Sequence, residues 1–328
     1  MNSQKNRINW LLILQGWAML WVVIGHAPLG DPGAGPAWEN LLYRIAYSFH
    51  MPLFMCVSGW LFWRTRLQPE GAQRWRYGRL VADKSLRLLL PGLVFSIVAF
   101  AVKIAFPGEV GRAAGLSFND ILHAYLYPYD NPLRELWFIA TLFGFFLLAP
   151  LWKVLLKKAW IIIVSAIALT LLHFFHPGTG LLCIDKLCEY AVWFFLGLVL
   201  SRTEAVERLC KPHPGWALLA GAALYAAGLW TDGFLVTLGG IVFSFALALT
   251  LDRFVPRIFF SFRNYTYQIF LMGIFAQVTV KILYRHLALP YFPVWALCVA
   301  AGIYIPVVIA IVIRKIGWKP LSLCVGLK

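Results

Sequence analysis

Long apolar runs follow one another from one end of the chain to the other, broken by short polar segments. A membrane-crossing helix needs roughly 20 mostly apolar residues. Runs of about that length cover 8–27, 42–63, 88–106, 134–152, 159–176, 185–201, 214–231, 233–251, 265–284 and 293–313. Only the segments 64–87 and 107–133 between them are long. The pattern predicts an all-α integral membrane protein, a bundle of about ten transmembrane helices forming one domain over 1–328. Spans seven and eight are parted only by Thr231-Asp232-Gly233, which reads as a tight helical hairpin.

Composition supports this pattern. Of 328 residues, 61% are hydrophobic and 13% charged, whereas a soluble domain is nearer a quarter charged. The net charge of +15 does not point to nucleic acid, because the basic residues lie in short blocks between apolar runs. With the N-terminus inside, roughly three quarters of the Lys and Arg fall on the inner side, the positive-inside arrangement. An even number of helices then puts the N- and C-termini in the cytoplasm. The first run is too long for the apolar region of a cleaved signal peptide and lacks a small-x-small site after it; the expectation is a retained first helix in the cytoplasmic (inner) membrane. The six cysteines make no CxxC and no metal spacing with histidine, and no metal is expected. Cys183 and Cys188 could form a local disulfide, the alternative being free thiols packed as small apolar groups.

Two spans carry groups that a plain anchor would lack. The first ends at His26 and holds Gln15, which falls within ~20° of His26 around the helix; Gly16 and Gly25 allow close approach of a neighbour. The second holds His50 followed by Pro52, a residue that frees a backbone carbonyl and can kink the helix. Ionisable groups inside a span are costly and mark functional sites. His26 could serve as a general base or a transient acyl carrier, since imidazole titrates near neutrality; the plain alternative is a histidine satisfied by a carbonyl at a helix end. The inner segment 64–87 holds Arg74, Arg76, Arg79, Lys84 and Arg87 among its basic residues. These read either as a polyanion site or as ordinary positive-inside signal attracted to anionic membrane lipids. Aromatic and polar residues of 125–131 suit a sugar or an interfacial aromatic belt. Further polar residues, among them Asp185, Glu189, Gln277 and Lys281, lie one turn apart in pairs on spans six and nine.

These residues resemble the acyltransferase-3 family of membrane O-acyltransferases, most closely its fucose 4-O-acetylase-related branch. The resemblance rests on Arg7, Gly16 and Val22-Val23-Ile24-Gly25-His26, then Phe49 to Phe54, Ser58 to Phe62, Lys84 to Pro91, Leu136 to Phe138 and Thr266 to Leu271. The chain departs from the pattern at Leu12 and Gln15, where relatives carry polar or charged groups, and at Met272-Gly273, where relatives often have a histidine. The resemblance implies transfer of an acyl group, usually acetyl, from acetyl-CoA or another acyl-coenzyme A to a carbohydrate hydroxyl. The acceptor would be a cell-surface glycan or lipid-linked sugar. It makes His26 the implied catalytic group, with Arg7, His50 and Gln15 as its companions. It assigns Arg74, Arg76, Arg79, Lys84 and Arg87 to the coenzyme. A transporter or flippase using the histidines for proton relay, or a non-catalytic scaffold, are the competing readings; the sequence shows no inverted repeat, and oligomeric state is not readable from it.

Overall fold

The computed structural model describes residues 8–30, 35–68, 76–106, 117–231, 233–287 and 289–327. Arg7 and Arg74 therefore lie outside the described residues. The helices in chain order are α1 (Asn9–Gly25), α2 (Ala37–Phe62), α3 (Tyr77–Lys84), α4 (Leu90–Ala105), α5 (Phe118–Leu126), α6 (Leu136–Leu147) and α7 (Ala149–Leu155). They continue with α8 (Ala159–Phe174), α9 (Ile184–Arg202), α10 (Pro214–Gly228), α11 (Gly233–Phe254), α12 (Thr266–His286), α13 (Tyr291–Ile316) and α14 (Lys319–Cys324). No strand occurs among the described residues. Wider π turns extend α2 over Trp63–Leu67 and join α3 to α4 over Ser85–Leu89, with a third at Val206–Cys210.

Among the described residues five helical stretches are long and apolar enough to cross a bilayer: Ala37–Leu67, Tyr77–Ala105, Gly233–Phe254, Thr266–His286 and Tyr291–Ile316. The chain is a membrane protein on that ground. The run 134–152 is not one straight helix. It bends by 60° between α6 and α7, because Pro150 has no N–H to continue the ladder and clashes with the preceding turn. The bend frees carbonyls that side chains then occupy: Trp152 Nε1 donates to Phe145 O at 2.7 Å and Tyr77 Oη to Leu147 O at 2.8 Å. α1, at 17 residues, is about 25 Å long at 1.5 Å per residue, shorter than the roughly 30 Å hydrocarbon layer.

The chain folds as two compact units. One comprises the chain through Val57 together with Thr203–Val312; the other comprises Ser58–Arg202 and the chain from Ile313. In the first, α1 packs against α11 and α12, and α10 against α11. The α10–α11 hairpin anticipated at Thr231 to Gly233 is built on glycine. A Cβ at Gly221 would stand 2.5 Å from the Phe243 backbone nitrogen, and at Gly228 and Gly239 it would collide with the Val236 and Tyr225 backbones. Two antiparallel backbones therefore touch along three turns, the close approach that small residues permit in membranes. In the second unit, Phe62, Phe145, Phe146, Trp152 and Phe194 form an aromatic core, and Gly59 lies directly against the Phe194 carbonyl. All six cysteines are free thiols, so of the two alternatives for Cys183 and Cys188 the structure has the free thiols.

The hairpin gives a direct test. Gly239→Leu should overpack it and lower stability by about 1–3 kcal/mol, read as a lower thermal midpoint in detergent. Gly215→Ala, in the same hairpin but facing open space, should leave the midpoint unchanged or raise it slightly, since alanine orders with less entropy loss than glycine.

Candidate functional site

The site forms at the C-terminal end of α1 in the first unit. The helix ends at Gly25, and the Ala27 N–H turns back to Ile24 O at 3.1 Å, so the Val23 carbonyl loses its usual i+4 donor. Gln277 Nε2 fills that place at 2.8 Å. One turn further along α12, Lys281 Nζ donates to His26 O at 2.8 Å. A cation at a helix C-terminus is favoured by the helix dipole as well as by the hydrogen bond. Gln277 is itself buried at 2% exposure, and Gly302 of α13 makes room for its side chain. Gln277 and Lys281 together hold His26 at a fixed helix end.

His26 and His50 meet through a residue that the sequence pattern does not single out. Tyr47 of α2 lies edge-on to both rings, with centroids 6.2 Å from His26 and 5.0 Å from His50. Gly25 lets this happen, since a Cβ there would stand 3.2 Å from the Tyr47 ring. A signal exists nonetheless, because Tyr47 precedes His50 by three residues and shares its helix face. His50 is buried, at 1% exposure, and its Nδ1 is hydrogen-bonded to Ala46 O. A carbonyl oxygen only accepts, so Nδ1 carries the hydrogen and Nε2 the lone pair. The carbonyl that Pro52 frees, Ser48 O, receives a hydrogen bond from Thr237 Oγ1 at 2.6 Å.

α2 starts at Ala37, five residues before the run read from sequence. That brings Glu39 into the helix, buried at 2% exposure, where Tyr291 Oη donates to its Oε2 at 2.6 Å. Around it Trp38, Tyr291, Phe292 and Trp295 make ring contacts of 5.0–6.3 Å. Tyr284, Tyr291 and Trp295 also pack on the cluster that contains Ala27 and Leu29, next to His26 in the chain.

Gln15 shares the azimuth of His26, but eleven residues of continuous helix put it about 16 Å away along the axis. Its end of α1 has a different polar cluster. Asn9 Nδ2 donates to Asp252 Oδ1 at 2.5 Å, and Arg263 NH2 donates to Asn9 Oδ1 at 2.9 Å. Arg263 also donates to Pro256 O and Ile258 O. Gly16 is required there, since a Cβ would stand 3.0–3.2 Å from Phe259 and Arg263. Met272-Gly273 has a steric reason too: a Cβ at Gly273 would lie 2.8 Å from Gly302 O.

In the second unit the basic segment is mostly helix rather than loop. Arg76, Arg79 and Arg87 are exposed, Arg76 at the start of α3, Arg79 within it and Arg87 in the following π turn. Asp83 is held by Arg66 at 3.1 Å. Lys84 faces elsewhere, its Nζ 3.6 Å above the Phe146 ring and 5.8 Å from that of Phe62, a cation–π arrangement. Two π turns, often found at functional positions, flank this segment. The same unit holds a second polar-aromatic group, in which Lys186 pairs with Glu189 at 2.5 Å near the rings of Tyr129 and Tyr190. Burial, with Asp185 nearby, pushes the Tyr129 hydroxyl above its ordinary pKa. Among the described residues no three His, Cys, Asp or Glu side chains converge as metal ligands would.

A histidine pair linked by one tyrosine, at the end of an apolar helix, suits proton-transfer chemistry in a membrane enzyme. A family model described as an acyltransferase domain matches residues 8–311, and the chain belongs to that family. It is similar to nodulation protein NolL of Sinorhizobium fredii (strain NBRC 101917 / NGR234), 32% identical over 168 residues, covering 51% of this chain and 40% of the relative. It is similar also to nodulation protein NolL of Mesorhizobium japonicum (strain LMG 29417 / CECT 9101 / MAFF 303099), 31% identical over 187 residues, covering 55% of this chain and 44% of the relative. The chain thus spans less than half the length of the curated relatives it matches. No solved structure matches it.

Gln277→Leu keeps the bulk of the side chain but leaves Val23 O buried without a donor. It should cost about 1–3 kcal/mol, measured by thermal unfolding in detergent. Gln277→Glu, offering no N–H when ionised, should not restore the loss.

Proposed function

We propose that the protein is a membrane O-acyltransferase that moves an acyl group, most simply acetyl, from acetyl-CoA to a hydroxyl of a carbohydrate. The acceptor class is a cell-surface glycan or lipid-linked sugar, in the manner of the fucose 4-O-acetylase-related branch. The observation that carries the reading is His26, fixed by Lys281 at the end of α1 and bridged through Tyr47 to His50, in a chain whose family is described as an acyltransferase domain. We read the whole chain as one catalytic domain of ten spans, multi-pass in the inner membrane with both termini cytoplasmic.

The chemistry asked of this chain is modest. Neutral His26 takes the proton of the acceptor hydroxyl as the oxygen–carbon bond forms, and returns it to the sulfur as the carbon–sulfur bond breaks. Lys281 sets positive charge beside the oxyanion, where pre-oriented groups are most effective, while His50, with its lone pair at Nε2, stands as a second proton acceptor rather than an oxyanion donor. The acyl thioester of the co-substrate supplies the activated carbonyl. Arg76, Arg79 and Arg87, exposed and flanked by π turns, have the forked donors that phosphates require, with Arg74 beside them in sequence. Lys84 is better placed to hold Phe62 and Phe146 together than to meet a phosphate. Gln15, about 16 Å along α1 from His26, serves the donor rather than the oxyanion, with Arg7 preceding it in sequence.

Mass spectrometry of surface glycans with and without the protein identifies acyl group and acceptor together. His26→Ala should lower transfer by about 10²–10⁴-fold in protein with an unchanged thermal midpoint; full transfer by the folded variant would end the reading. Arg76→Ala combined with Arg79→Ala should raise KM for acetyl-CoA several-fold while changing kcat little, because both act on binding alone. The rise should be smaller at high salt, where exposed charges are screened.

A further inference from the structure

The cluster at Glu39 holds more polar capacity than the protein itself uses. Glu39 is 2% exposed, and only its Oε2 has a partner, Tyr291 Oη. Its Oε1 is buried without any hydrogen-bond partner, and so is Trp295 Nε1 in the same aromatic group. An acceptor and a donor left unmet are costly in an apolar setting. One incoming hydroxyl group satisfies both kinds, because it donates one hydrogen and accepts another. The aromatic rings Trp38 and Phe292 remain exposed at the rim, at 36% and 62%. Gly35 lets the chain close onto the pair: a Cβ there would stand 2.8 Å from Tyr291 Oη and collide with Glu39 Oε2, so the bonded side of the carboxyl is held tightly. A carboxyl oxygen flanked by aromatic faces is the chemistry that recognises a neutral sugar, hydroxyls to the carboxyl and C–H face to the rings. An interfacial aromatic belt needs only the rings and gives no reason for a buried carboxyl with an idle oxygen.

We propose that Glu39, with Tyr291, Trp38 and Trp295, forms the subsite that holds a neutral sugar ring of the acceptor, beside the end of α1 that carries His26. The proposal rests on the carbohydrate reading of the preceding subsection. Glu39 Oε1 takes a hydroxyl hydrogen, Tyr291 holds the carboxyl in place, and Trp38 supplies the ring face. A second carboxylate, on an acidic sugar, is repelled.

The test uses the purified full chain in detergent and saturation-transfer NMR with methyl α-glucoside, methyl α-galactoside and methyl α-fucoside, and methyl β-glucuronide as the acidic comparison. The wild type should bind at least one neutral glycoside and not the glucuronide. Glu39→Gln should weaken the neutral glycoside about tenfold, the loss of one good hydrogen bond, and Gly35→Ala, which must push the Glu39 carboxyl out of its place, should weaken it at least as much. If the Glu39 variant does not fold, Tyr291→Phe carries the test with the Glu39 side chain retained. Equal affinity of wild type and folded variants overturns the proposal. So does failure of the wild type to bind any of the three, which leaves Oε1 to a bound water. Acyl transfer is not part of the readout. Glycoside binding with no acyl transfer by the wild type would sink the acyltransferase reading alone; transfer without glycoside binding would sink this one alone.

Discussion

In a chain surrounded by hydrocarbon, every backbone carbonyl that a helix releases must find a donor within the protein. That constraint organises this molecule. Five such carbonyls are matched by a side chain: Val23 O by Gln277, His26 O by Lys281, Ser48 O by Thr237, Phe145 O by Trp152 and Leu147 O by Tyr77. Most of the matches come from distant parts of the sequence, so they also serve as the contacts that fix helices against each other. His26 lies at one such interruption and His50 two residues from another. Both histidines are therefore placed where the backbone is irregular and yet supported.

Support of this kind explains why glycine recurs beside the polar residues. Gly25 admits Tyr47, Gly302 admits Gln277, and Gly16 admits the segment of Phe259 and Arg263. Each is a close approach between a helix and a neighbouring segment; at Gly302 and Gly16 it brings in a side chain that bonds α1, Gln277 to Val23 O and Arg263 to Asn9. The motif residues around His26 thus divide into polar groups and the glycines that let neighbouring segments reach them.

Much of this was legible in the sequence, and the remainder was not for definable reasons. Each of the ten apolar runs is helical over most of its length, because apolar periodicity dominates in such a chain. The bend at Leu148 was readable from Pro150. The start of α2 was not: Glu39 looks like a boundary, and becomes interior only because Tyr291, 252 residues away, bonds to its carboxyl. Lys84 reads as one of a row of phosphate-binding cations. Its amine instead rests on Phe146, a partner that nothing in the local sequence announces. Gln15 has the right azimuth and the wrong height, since helix periodicity fixes direction around the axis and says nothing about the rise between two residues.

The bond from His50 Nδ1 to Ala46 O has one more consequence. A histidine that conducts protons receives at one nitrogen and releases from the other, so both must face exchangeable partners. Here one nitrogen is committed to an oxygen that can never take its hydrogen. His50 is a one-sided group, able to accept and give back a proton at Nε2 but not to pass one through its ring. A transmembrane proton wire cannot run through it, whereas a reaction that borrows a proton and returns it on the same side can.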